Sequence, residues 1–496
     1  MSTLNYNAGL DSSNVVVSYA VEATWATLPT AVFQQIRLTA EDFTESKTRL
    51  RPLEIVPLGY AAQAITTKVE SKGSLSFGLS YGTFDDFLVG ALNSPGWSNF
   101  GQLVGAGSGD FAVVSGSSEI TSTVTSRFAQ ITPGSRVTLA GFTNSANNGQ
   151  FTVDSITAGA SPVMVLYKLG TTTLATLVTE TAPIGATITI NSIKSTAGDI
   201  TITNGTNILS SATAGKFTNI VAGQWILLSG FTNAANNGAF LVSVKTSATS
   251  LTLVNATGTQ AFVTETPTGA NAQITGSFIQ NSNIVTTYSI EKQMATALYF
   301  QYLGSYVSSL KLTMEVGKYV EGEFEFLVKN QVAATTEAGT AAPLPITTGR
   351  IIDNISGFSA FAVSGAAPAA TLQSIELTVT KERSASQYGI GSAAAVGMRR
   401  GTLQVDGKLS LFFLNDTYYN DFVSEAALGV TWQLTDNLGN AYVFTLPAIT
   451  IMNPSIVAKG IDQDIIADFT LEGNPAPGTN TLYPAITIQI DRLPIS

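Results

Sequence analysis

Apolar and polar residues alternate with a period of two through most of the chain. The runs are short, rich in Val, Ile, Thr, Phe and Tyr, and separated by Gly, Asn, Asp and Pro, which is the pattern of half-buried β-strands. Along Val69 to Leu79 the positions Leu75, Phe77 and Leu79 are apolar. Lys68, Glu70, Lys72, Ser74, Ser76 and Ser80 are polar, so one face packs and the other is wet. The unit returns far downstream: Val69-Glu70-Ser71-Lys72-Gly73-Ser74-Leu75-Ser76-Phe77 is echoed by Leu403-Gln404-Val405-Asp406-Gly407-Lys408-Leu409-Ser410-Leu411, with Gly73 matching Gly407. In the second copy Leu403, Val405, Leu409, Leu411 and Phe413 share one side. The period then changes. Thr83 to Leu92 sets Phe84, Phe87, Leu88 and Leu92 at helical spacing, and Thr417 to Leu428 does the same with Tyr418, Phe422 and Ala426, which predicts two short helices that each cover one end or face of a sheet.

The duplication extends on both sides. Upstream, Gln35-Ile36-Arg37-Leu38-Thr39 matches Ser374-Ile375-Glu376-Leu377-Thr378, each followed by a long loop, the first carrying Lys47, Arg49 and Arg51 and the second Lys381, Arg383, Arg399 and Arg400. Downstream, Val285 to Met314 reads as a hairpin and strand comparable with Val430 to Met452, where Asp436 to Asn440 is a turn. Between about residues 101 and 276 the first copy is interrupted by a Gly-, Ser-, Thr- and Ala-rich stretch with its own repeat of about 89 residues. Gly141-Phe142-Thr143-Asn144-Ser145-Ala146-Asn147-Asn148-Gly149 returns as Gly230-Phe231-Thr232-Asn233-Ala234-Ala235-Asn236-Asn237-Gly238, and Val178-Thr179-Glu180-Thr181 returns as Val263-Thr264-Glu265-Thr266. We read two small all-β modules, each with an Asn-Asn-Gly turn suited to positive φ, that project from a parent domain. The predicted division is 1–100 with 277–340, 101–190, 191–276 and 341–496.

Composition narrows the chemistry. Histidine and cysteine are both absent, which removes the usual zinc sites, thiol nucleophiles and His-based triads. Charged residues are 12% and the net charge is −10, which argues against a phosphate-gripping nucleic-acid binder. Met1 to Ala20 lacks the pattern of a secretory leader, and no window is apolar enough to span a bilayer, so a soluble, cytoplasmically made protein is expected. No cofactor is expected.

The remaining candidates are carboxylates and loop cations. Glu321, Glu323 and Glu325 alternate along a strand opposite Phe324 and Phe326, which reads either as a cation or acid/base site or as a solvated, pore-facing strand. The second reading is preferred, because hard-cation sites gather ligands from loops. Asp462 and Asp464 flank a turn without a catalytic partner, and Asp85-Asp86 fit the first turn of a helix. The loop cations Lys47, Arg49, Arg51, Lys381, Arg383, Arg399 and Arg400 read as inter-subunit contacts in an acidic chain.

Glu22-Ala23-Thr24-Trp25-Ala26-Thr27-Leu28-Pro29, then Phe43-Thr44-Glu45-Ser46-Lys47, then the alternating strand and the Phe84-Asp85-Asp86-Phe87-Leu88 helix ending near Trp97, resemble the major tail tube protein of long-tailed, siphovirus-type phages. The section with Tyr418-Tyr419 and Leu446-Pro447 resembles the same fold repeated, so the likeness covers roughly 15–100 and 277–496. It implies an all-β fold with two short helices, made of two tandem tube-type β-sandwich or half-barrel domains. Six such folds surround a lumen in that family, so three chains of this kind suffice for a ring. The resemblance further implies rings stacked into a tube in the virion tail, assembled in the host cytoplasm. Partners would be tape measure, tail terminator and distal tail proteins, with DNA passing unbound. Duplex DNA carries one charge per ~1.7 Å, and an acidic wall lets it pass. Glu321, Glu323, Glu325, Asp462, Asp464 and Asp468 are the candidates for that wall. No enzymatic activity is expected; the competing reading is an adhesin-type glycan-binding β-protein, which exposed aromatics in the insert would favour.

Overall fold

The computed structural model describes residues 10–54, 61–107, 109–258, 260–269, 271–368, 370–458, 460–480 and 483–495. Met1 to Gly9, part of the stretch read for a leader, lies outside them. The fold is all-β with two short helices, and every pairing between its strands is antiparallel. No helix among the described residues is long and apolar enough to cross a membrane.

The duplicated pattern becomes a duplicated strand order. In the first copy Thr44–Leu50, Ile65–Gly78, Glu321–Val328, Leu298–Glu315, Tyr288–Ala295 and Val16–Val21 pair successively. In the second, Leu372–Glu382, Thr402–Phe412, Ile466–Gly473, Ala441–Val457, Leu428–Thr435 and Phe358–Val363 pair in the matching order. The copies are then joined edge to edge: Ser309 to Glu315 pairs with Thr380 to Ser374, so one sheet runs through both. Gly73 and Gly407 fix the correspondence. Phe43 lies across Gly73 as Leu377 faces Gly407, so the true counterpart of Leu372–Glu382 is the segment around Phe43, not the Gln35 to Thr39 match read from sequence. Gln34–Gln35 instead pairs with Val16–Val21.

Alternation makes one face of this sheet a core. Leu75, Phe77, Leu310, Leu312, Phe324 and Phe326 of the first copy are buried with Leu377, Val405, Leu409, Phe469 and Leu471 of the second. The helices cover that face. Helix α1 (Asp85–Leu92) buries Phe87, Leu88, Ala91 and Leu92 against the strand Leu298–Glu315, and Gly90 admits the close approach of Tyr288. It ends at Asn93 in the left-handed region, where the Ser94 N–H returns to the Val89 carbonyl. Helix α2 (Thr417–Val423) is shorter than its sequence pattern, because Glu425 turns left-handed and Leu428 opens the next strand.

The insert forms an eight-stranded and a seven-stranded sheet, between Gly101 and Ile190 and between Ser192 and Thr275, that share one core. Its repeated letters are hydrogen-bonding residues. Glu180 accepts from the Thr143 and Asn144 N–H groups and from Asn147 Nδ2; Glu265 does the same with Thr232, Asn233 and Asn236. Asn148 and Asn237 each clasp a phenylalanine's backbone, at Phe142 and Phe231. The Asn-Asn-Gly stretch is therefore not the positive-φ hairpin turn expected, since Asn148 and Asn237 are extended and only Gly149 and Gly238 have positive φ. A buried ion pair repeats too, Asp110 with Arg127 at 3.3 Å and Asp199 with Lys216 at 2.6 Å. Burial alone pushes the Asp199 carboxyl up, but hydrogen bonds from Lys216, Ser211 and Thr213 hold it at about 2.

The insert is anchored to the second copy. Trp225 packs with Ala441, Val443 and Leu493, and its backbone N–H donates to the Asp491 carboxylate at 2.9 Å. Ser277–Gln280, where the chain leaves the insert, pairs with Gln489–Leu493.

Candidate functional site

Residues paired across antiparallel strands lie on the same face, so the register fixes what surrounds each carboxylate. One row reads Ser76, Glu323, Lys311, Thr378, Asp406, Glu472 and Thr450. The next reads Glu321, Thr313, Glu376, Lys408 and Thr470, and a further one Glu325, Ser309, Thr380 and Gln404. Toward the opposite end come Glu315, Ser374, Ser410 and Asp468. The face opposite the core is thus one polar surface crossing both copies, and neither of the two described α-helices packs over it.

Its charge is unbalanced. Lys311 and Lys408 converge on Glu376 at 2.9 and 3.6 Å. Glu321, Glu323, Glu325, Asp406, Asp468 and Glu472 have no salt-bridge partner among the described residues. These exposed pairs contribute little to stability, so the surplus carboxylates set the field of the surface rather than its fold.

Of the carboxylates singled out from sequence, Glu321, Glu323, Glu325 and Asp468 share this face. Asp462 and Asp464 do not; they are exposed in the loop between Ala441–Val457 and Ile466–Gly473. Glu376, Asp406 and Glu472 were missed, although the parity of their strands sets them opposite Leu377, Val405 and Leu471. Asp85 and Asp86 do more than favour a helix start. Asp85 binds Arg492 at 2.5 Å and accepts from Tyr442, and Asp86 accepts from Tyr19 at 2.8 Å.

Among the loop cations, Lys47 and Arg49 are exposed on Thr44–Leu50, Arg51 lies just beyond, and Arg383, Arg399 and Arg400 are exposed in the hairpin between Leu372–Glu382 and Thr402–Phe412. Lys381 corrects the expectation of a contact residue. It is 4% exposed, donates to the Gly90 and Val307 carbonyls at 2.6 Å, and lies 4.0 Å from the Tyr306 ring centre. Burial, with Arg400 nearby, depresses its pKa well below the ordinary lysine value. Its ammonium ties a strand of the second copy to the last turn of α1.

The run of strands that carries the polar face has an open edge at each end. Thr44–Leu50 pairs only with Ile65–Gly78, and Ser455 to Val457 only with Asp468 to Ile466, among the described strands. The second edge is the counterpart of the one used inside the chain. Gly73 and Gly407 lie opposite Phe326 and Leu471, which lie opposite Val307 and Ile451. Each long strand then carries one extra residue, between Val307 and Ser309 in the first and between Met452 and Ser455 in the second, after which Lys311 corresponds to Ser455. By the same count Thr378 corresponds to Thr44.

The family model described as phage tail tube protein matches residues 12–473. The chain belongs to the phage tail tube protein family. No curated protein matches it. Membership makes the chain a structural tail tube subunit of the virion tail, one that self-assembles into a tube and associates with other tail proteins, and the family is not one of enzymes. The aromatic residues of the insert agree with that role over glycan recognition: Phe128, Phe142, Phe217, Trp225, Phe231, Phe240 and Phe262 are all buried, and only Tyr167 is partly open.

Proposed function

We propose that three copies of this tail tube protein close into a ring of six equivalent strand sets, that rings stack, and that the polar face lines a channel for DNA. The observation that carries the reading is the internal junction, where Leu298–Glu315 of one set pairs with Leu372–Glu382 of the next. Repeating that junction between chains sets Ser455 against Thr44 of a neighbour and covers both of these edges once the ring closes. The surplus carboxylates then face the lumen, where they repel duplex DNA weakly and keep it from sticking. Helices α1 and α2 lie on the outer side, and the insert projects outward with them. Tape measure, terminator and distal tail proteins are the partners that the family role calls for, with assembly in the host cytoplasm.

Electron microscopy of the purified chain tests this. Rings with a central channel and three peripheral projections are expected, and removal of residues 102–274 should erase the projections while rings persist. That deletion exposes Val443 and the buried Asp491, so it should also lower stability. A dispersed monomer, or rings with six projections, would sink the stoichiometry.

A further inference from the structure

A cavity of about 420 Å³ lies where the insert meets both copies. The first copy supplies Tyr81, Asp85 and Asp86, the C-terminal strand supplies Arg492, and the first module of the insert supplies Arg136 and Gln150.

The internal repeat of the insert shows how this wall departs from its counterpart. Arg136, Thr138, Gln150 and Thr152 share one face of the paired strands Arg136–Ala140 and Gly149–Thr157, and their equivalents in the second module are Trp225, Leu227, Ala239 and Leu241. The second set is apolar and packs with Ala441, Val443 and Leu493 of the second copy. The first set is polar, and two of its members front the cavity.

Two donors on the cavity lack partners. The Arg136 guanidinium makes no ion pair or hydrogen bond among the described residues, and the buried Tyr81 hydroxyl has no hydrogen-bond partner there either. Burial lowers the Arg136 pKa, and Tyr81 is the only titratable group that opposes the shift. Burial pushes the Tyr81 hydroxyl well above its ordinary value, so it stays protonated and can donate. The carboxylates of the cavity are already engaged: Asp85 pairs with Arg492 and accepts from Tyr442, and Asp86 accepts from Tyr19. A cation and a hydroxyl donor that face one cavity without acceptors suit a small anion.

We propose that this cavity binds a small oxyanion of the phosphate class, gripped by the Arg136 guanidinium and the Tyr81 hydroxyl. A tetrahedral anion presents oxygens to both walls at once, so it ties the first module to the tube part as Trp225 ties the second.

Titration calorimetry of the purified full chain with inorganic phosphate, at an ionic strength held constant with sodium chloride, tests the site. Saturable binding of about one phosphate per chain is expected, with a rise in melting temperature. Arg136→Gln should abolish the binding, and Tyr81→Phe should weaken it roughly tenfold through the loss of one hydrogen bond to a charged group. In phosphate-free buffer Arg136→Gln should melt no lower than wild type, because it removes a charge that has no partner; an arginine with a merely structural role would leave a less stable chain. Arg49→Gln, on the open edge strand, should bind as wild type does. Lack of saturable binding by the wild type, or binding unchanged in Arg136→Gln, overturns the proposal. Should Arg136→Gln fail to fold, Tyr81→Phe decides, and unchanged affinity there overturns it as well.

Discussion

Replacing Arg492 by alanine is expected to destabilise the chain by about 3–5 kcal/mol, because it strands the carboxylate of Asp85 in a site made for a cation. The guanidinium lies 2.5 Å from Asp85, with the two side chains 28 and 13% exposed, and its plane rests 4.6 Å from the Trp97 ring centre. Asp85 begins α1 of the first copy, Arg492 is on the C-terminal strand, and Tyr442 of the second copy donates to the same carboxylate. One interaction therefore joins both copies. Denaturant unfolding followed by tryptophan fluorescence should show the loss, and Asp85→Asn added to Arg492→Ala should recover part of it, since the unpaired charge is then gone. A cost below about 1 kcal/mol would mean that Asp85 is solvated well enough to stand alone.

Gly73→Val should abolish assembly at a smaller cost to the fold. A Cβ at Gly73 would lie 2.7 Å from the Phe43 Cα, so relief requires the backbone beside the open edge strand to move, not merely a side chain. Phe43 is fixed by packing on Tyr302 and Phe326 and by the Tyr302 hydroxyl, which donates to its carbonyl at 3.1 Å. Overpacking of this kind costs about 1–3 kcal/mol, and the strand it displaces is the one assigned to the neighbouring chain. Gly116→Ala in the insert, with nothing within 4 Å of the added carbon, is the control and should assemble normally. Sedimentation separates the outcomes: rings from the Gly73 variant equal in yield to wild type would remove Thr44–Leu50 from the proposed interface.

Much of the fold was legible in the sequence because strands sort their side chains by parity. Leu75 and Phe77, and Leu409 and Leu411, declared a buried face, and that parity also placed Glu321, Glu323 and Glu325 on the polar one. Parity says nothing of what covers a face or ends a strand. Lys381 looked like a loop cation because nothing in a linear pattern shows Gly90 and Val307, which its ammonium bridges. Asp85 looked like a helix-dipole residue because its partner lies 407 positions away. The Asn-Asn-Gly repeat carried a turn signal, yet the same letters serve a carboxylate at Glu180 or Glu265. The upstream match failed for a simpler reason: Ile36 and Phe43 both precede strand-like residues, and only the contact at Gly73 separates them.

The central claim is that the junction inside the chain is repeated between chains, and a cysteine pair tests it directly, since the chain contains none of its own. Lys311 and Thr378 face each other at the internal junction, and Ser455 and Thr44 are their counterparts at the open edges. If the ring closes as proposed, Ser455→Cys with Thr44→Cys should bring Cα atoms of neighbouring chains within the ~4.4–6.8 Å that a disulfide spans. Mild oxidation of assembled rings should then give a covalent trimer on non-reducing gels and no larger species, with either single variant remaining monomeric. A double variant that stays monomeric in assembled material, or that forms a ladder continuing beyond three chains, would contradict the account.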